Sequence, residues 1–135
     1  MIINQPHRFL AIIVLLVLGA GCNNSSGVES SVSQNQQVCK TSPATATATV
    51  LLKEGRFDPP TISVKQCTKV VFQNVGNQPH WPASDLHPTH GIYPEFDPQE
   101  NINPGQSWSF VFDRVGQWKC HDHLNPKVRC EVDVY

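Results

Sequence analysis

Five of the six histidines of this chain, His80, His87, His90, His121 and His123, fall between positions 80 and 123. The last two sit beside a cysteine in Cys120-His121-Asp122-His123, which gives the spacing Cys-x-x-His. A soft thiolate and two imidazoles in a trigonal arrangement form a set that accepts Cu(I) and Cu(II) with little rearrangement. Such a set needs Cys120 and His123 on one loop and a second imidazole, His80, from another. His87-Pro88-Thr89-His90 also has ligand-like spacing. It can join His121 or Asp122 in a second site, or build an all-imidazole copper or zinc site. The alternative is that these are loop histidines with satisfied hydrogen bonds. Asp122, between two histidines, reads either as a carboxylate that orients a ring or as a solvated group.

These residues need elements that bring them together, and composition limits the choice. Ten Lys and Arg against eleven Asp and Glu leave no basic surplus to neutralise phosphates, which excludes a nucleic-acid partner. Residues 1–22 read as an export signal. The apolar run Phe9 to Ala20 is shorter than the roughly 20 residues that span a bilayer and suits a secretory h-region. Leu18-Gly19-Ala20-Gly21-Cys22 resembles a bacterial lipobox, although Gly19 stands where Leu is usual, and the resemblance implies lipidation of Cys22. The expected location is therefore the periplasm or cell surface, with a membrane contact through the lipid. Residues 23–46, rich in Ser, Gln, Asn, Thr and Ala, read as a disordered tether.

Residues 47–135 read as one all-β domain, because short β-rich runs alternate with Pro, Gly and Asn and no long 3.6-residue period occurs. Thr61 to Gln66 and Lys69 to Asn74 flank a tight turn at Cys67-Thr68 and are expected to form a hairpin. Trp108, Phe110 and Phe112 share one face. Trp118 and Cys120 share another, and Val128, Cys130, Val132 and Val134 a third, so the inward faces make one sandwich core. The proline-rich stretch between Asn74 and Pro104 carries Trp81, Tyr93 and Phe96 and reads as a packed functional loop.

The order Phe57-x-Pro59, Ile62-x-Val64, Val71-x-x-Asn74, His80, Phe96-Asp97, Pro104-Gly105-x-Ser107, Phe110-x-Phe112, Gly116-x-Trp118-x-Cys120 and His123 resembles the cupredoxins, the family of plastocyanin, azurin and amicyanin. The resemblance implies an eight-stranded Greek-key β-sandwich. It also implies one type 1-like copper ion on His80, Cys120 and His123, and one-electron exchange with a redox partner protein rather than turnover of a small-molecule substrate. The chain departs from the pattern in three places. Val128 stands where an axial Met is usual, and Cys67 and Cys130 stand where Gly is common.

Within such a sandwich Cys39 approaches from the end where the Cys67 turn lies, which favours a Cys39–Cys67 disulfide. Cys120 and Cys130 point inward on neighbouring antiparallel strands, at a separation that a disulfide can bridge. Three functions stay open at this point. One is electron transfer through a Cys120 thiolate site. Another is histidine-based copper or metal storage or delivery. The third is a metal-free scaffold cross-linked at Cys120 and Cys130.

Overall fold

The computed structural model describes Cys39, Ala44 and residues 46–135. The export signal with Cys22 and nearly all of the tether lie outside the described residues. Eight strands follow in order: β1 Thr47–Lys53, β2 Arg56–Asp58, β3 Thr61–Val64, β4 Thr68–Asn74, β5 Pro82–Ser84, β6 Ser107–Phe112, β7 Gly116–Asp122 and β8 Asn125–Val134. They form two four-stranded sheets, ordered β2-β1-β4-β6 and β3-β8-β7-β5.

The sheets are mixed, with β1–β4 and β3–β8 parallel and the remaining pairs antiparallel. Alternation decides the packing. In β8, Val128, Cys130, Val132 and Val134 are buried while their neighbours are exposed or half-buried, and β4 turns Val70 and Phe72 to the same core. Two such faces stacked across a sandwich remove the apolar surface from water at about 25 cal/mol per Å².

The expected hairpin between residues 61 and 74 is not formed. β3 pairs with β8 and β4 with β1 and β6, so the turn at Lys65 to Thr68 carries the chain from one sheet to the other. The cause is that Val64 must face Val70 and Phe72 across the core rather than lie beside them. Cys67 makes the crossing with a φ of 68° and donates its backbone N–H to the Phe112 carbonyl, while the Gln66 N–H goes to the Tyr135 carbonyl. Disulfides join Cys39 to Cys67 and Cys120 to Cys130. The second pair is directly opposed in the β7–β8 register, with Cα atoms 4.9 Å apart.

The stretch between β4 and β6 is held by its aromatic and amide side chains. Phe96 is fully buried and contacts the rings of Phe72, Trp108, Phe110 and Phe112. Asn74, at the end of β4, donates Nδ2 to the Gln78 and Ile102 carbonyls and accepts the Gly76 N–H. His80 and Ile102 then exchange backbone hydrogen bonds, which closes the loop at its base. The packing predicts that Phe96→Ala costs about 3–5 kcal/mol. Urea unfolding monitored by tryptophan fluorescence is expected to show this loss as a lower midpoint; an unchanged midpoint would mean that the loop does not contribute to the core.

Candidate metal centre

β5 is only three residues long and begins with a proline, so periodicity could not reveal it. It lies at the sheet edge, where a missing N–H costs little. All three of its residues are buried, and Pro82, Ala83 and Ser84 pair with Asp122, His121 and Cys120 of β7. This pairing sets Asp85, the next residue, against β7, where its N–H bonds the Lys119 carbonyl. The loop then returns. The Ser84 hydroxyl donates to the His90 and Tyr93 carbonyls, and the Ile92 N–H to the Asp85 carbonyl, which places His87 and His90 over the end of β7.

β7 ends in a register shift between His121 and Asp122. Such irregularities re-aim side chains at the rims of sheets. Cys120 is in the core, whereas His121, the next residue, faces the other way and meets Asp85 and His87.

Four imidazoles converge there. His87 Nδ1 lies 3.3 Å from His121 Nε2, and His90 Nε2 lies 2.9 Å from His123 Nδ1. One nitrogen from each of His87, His121 and His123 falls within 4.8 Å of the others. Carboxylates set the orientation of two rings. Asp85 takes His121 Nδ1 at 3.0 Å and also accepts from Arg129 at 2.9 Å. Asp97 takes His90 Nδ1 at 2.7 Å while accepting from Trp81 Nε1 and the Gln99 N–H. A carboxylate can only accept, so both Nδ1 atoms carry hydrogen, and in the neutral ring Nε2 presents a lone pair to the cluster. This carboxylate–imidazole arrangement is how proteins fix the tautomer of a ligating histidine.

The environment favours the neutral form of two of these rings, His121 and His123. Burial pushes His121 below the usual histidine range, and His90 and His87 add to the effect, outweighing Asp85. His123 is lowered for the same reason, burial first and then the neighbouring His90 and His87. The Asp97 carboxyl is also lowered: burial opposes ionisation, but its bonds to Gln99, Trp81 and His90 prevail.

The three residues expected as one ligand set are not brought together. Cys120 is bonded to Cys130, so its sulfur is not a thiolate. His80 gives Nδ1 to Asp122 at 2.7 Å, with both side chains buried, and its Nε2 is buried without a hydrogen-bond partner. Only His123 joins the cluster. The separation follows from β7, which turns Cys120 into the core and His121 to the opposite face of the strand, beneath the loop, before the register shift re-aims Asp122. Val128 packs in the core. Asp122 does orient a ring, that of His80, and its other oxygen accepts the Trp81 and Leu124 N–H groups.

Asp85 and Asp97 were missed from sequence. Their only signal was position, since Asp85 stands two residues before His87 and Asp97 lies in the Phe96-Asp97 motif. Trp81, in the stretch expected to be a packed functional loop, reaches the cluster: its ring lies 4.6 Å from that of His123.

Solved structures share this fold. A reduced amicyanin variant is 21% identical over 70% of this chain and 88% of that one, with a TM-score of 0.58. A purple cupredoxin from Nitrosopumilus maritimus is 21% identical over 65% of this chain and 99% of that one, with a TM-score of 0.57. An amicyanin variant in its Cu(I) form is 21% identical over 66% and 82%, with a TM-score of 0.56. No family model and no curated protein matches the chain. The fold is therefore cupredoxin-like.

The lowered groups define a pH dependence for the metal-free protein. His121, His123 and Asp97 all bind protons more weakly folded than unfolded, so stability rises with pH. The histidine contribution is complete above about pH 6.5 and is lost as the pH falls through the folded values. Urea midpoints of chelator-treated protein are expected to drop between about pH 7.5 and about pH 5.5; a flat or rising profile would contradict the assignment of neutral buried rings.

Proposed function

We propose that this protein binds one copper ion on the imidazole cluster, through His87, His121 and His123 with His90 beside them, and stores or delivers that ion in the cell envelope. The observation that carries the reading is the convergence of imidazole nitrogens with the His121 and His90 tautomers fixed by buried carboxylates.

The residues fit such an ion. Imidazole suits copper, and among the divalent first-row metals copper binds such donors most tightly. Bound there, copper would supply a redox-active cation at a neutral nitrogen site. The protein's share is to hold the rings neutral, aim their lone pairs and shield one side with Trp81. The protein is then a binding protein and not an enzyme. Two disulfides support an oxidising compartment and hence export, with attachment to the membrane through Cys22.

One-electron transfer to a partner protein is the second reading. The fold is shared with amicyanin structures solved in oxidised and reduced forms, which favours it. A thiolate version on His80, Cys120 and His123 would require reduction of the Cys120–Cys130 disulfide by an external thiol.

Titration of the purified protein with Cu(II), followed by electron paramagnetic resonance and visible absorption, separates the two. The expected result is one ion with nitrogen splitting and only weak colour. Asp85→Asn is expected to weaken binding by about 10- to 100-fold, and Cys120→Ser with Cys130→Ser to leave the nitrogen splitting in place with no visible band lost. An intense visible band that disappears in Cys120→Ser would replace this reading with a thiolate electron-transfer site.

A further inference from the structure

The four imidazoles of the cluster are not held alike. His121 is fully buried, and its Nδ1 is fixed on Asp85, which Arg129 grips in turn. His90 is 5% exposed and fixed on Asp97, itself held by Trp81 and Gln99. His123 is half-buried against the Trp81 ring, and its backbone N–H bonds the Trp81 carbonyl at 2.7 Å.

His87 differs in each respect. It is exposed, and it follows Leu86, which is 63% exposed. Its side chain meets only other imidazoles, His121 at 3.3 Å and the rings of His121 and His123. Among the described residues no carboxylate holds it.

We propose that His87 is the exchange ligand of this site: the group that lets go first and opens a position through which the metal ion passes to an incoming donor. The inference rests on the copper reading above and adds a direction of traffic to it. His121 and His123, preorganised by packing and hydrogen bonds and with His90 beside them, keep an ion when His87 swings away, because they lose little further freedom by binding. An exposed side chain changes rotamer in picoseconds to nanoseconds, so opening at His87 needs no movement of the fold. A donor arriving from solvent meets His87 first, since His87 is exposed whereas His90 and His121 are buried.

The test compares copper transfer from the loaded wild type and from His87→Ala to EDTA in stopped-flow measurements. In the wild type the transfer rate is expected to level off as EDTA is raised, because ring release becomes limiting. His87→Ala is expected to retain one Cu(II) with one fewer nitrogen in its resonance spectrum. Its release should be about tenfold faster and rise with EDTA without levelling, since the loss of a contact falls mainly on the off rate. His121→Ala, which removes an anchored ring, is expected to lose the ion altogether. If His87→Ala also loses the ion altogether, or transfers it at the wild-type rate, the exchange role is overturned while the copper reading stands. A wild type that takes up no copper overturns both.

Discussion

The pairing of a buried imidazole with a carboxylate withdrawn from solvent orders one end of this molecule. Among the described residues it occurs three times: His80 with Asp122, His121 with Asp85 and His90 with the half-buried Asp97. Each carboxylate also accepts from something else, so each pair ties two or more segments together. Asp122 joins the base of the long loop to the turn after β7 by accepting from Trp81 and Leu124. Asp97 joins the far side of the loop to Trp81, and Asp85 joins β5 to β8 through Arg129. Hydrogen bonds to charged groups contribute about 1.5–3 kcal/mol each, and leaving one of these carboxylates buried without its donors would cost at least as much. A proline-rich loop with almost no ladder hydrogen bonds thereby acquires a fixed shape.

The same pairing separates two kinds of histidine. A ring whose Nδ1 is committed to a carboxylate has one nitrogen left. In His90 and His121 that nitrogen faces other imidazoles, and in His80 it is enclosed without a partner. His80 therefore acts as a buttress beneath the loop, while the rings with outward-facing nitrogens form the cluster. Adjacent positions in the chain fall on different sides of this division because β7 alternates. Cys120 is in the core, His121 is in the cluster, and Asp122 supports the loop base.

This alternation explains what could be read from the sequence. The all-β class, the inward faces of β6 and β8 and the closeness of Cys120 to Cys130 follow from period-two patterning, which is a local property. The crossing at Cys67 was not legible, because a tight turn between two strands looks the same whether they pair or pass to opposite sheets. What decides is whether Val64 is needed beside or across from Val70 and Phe72, and that depends on β8, some seventy residues away. The Cys-x-x-His spacing drew attention to His123, and the structure sets that residue among His87, His90 and His121, with Cys120 in a disulfide. Spacing gives separation along the chain and says nothing of the face on which a residue emerges after a register shift. Asp85 and Asp97 escaped because a carboxylate in a polar loop is most often solvated, and only the fold shows that these two are not.

Rigidity is distributed so that the cluster can differ from its frame. Cys39–Cys67 fastens the turn that feeds β4, and the length of β4 separates that turn from Asn74 at its far end and from the loop base. Cys120–Cys130 locks β7 to β8 at the pair next to His121 and Arg129, which face each other in the same register and both grip Asp85. The cross-link thus fixes the strand spacing on which the most buried ring of the cluster depends, without placing a sulfur in the cluster itself. Cys120 contributes to the site through the position it imposes on its neighbour.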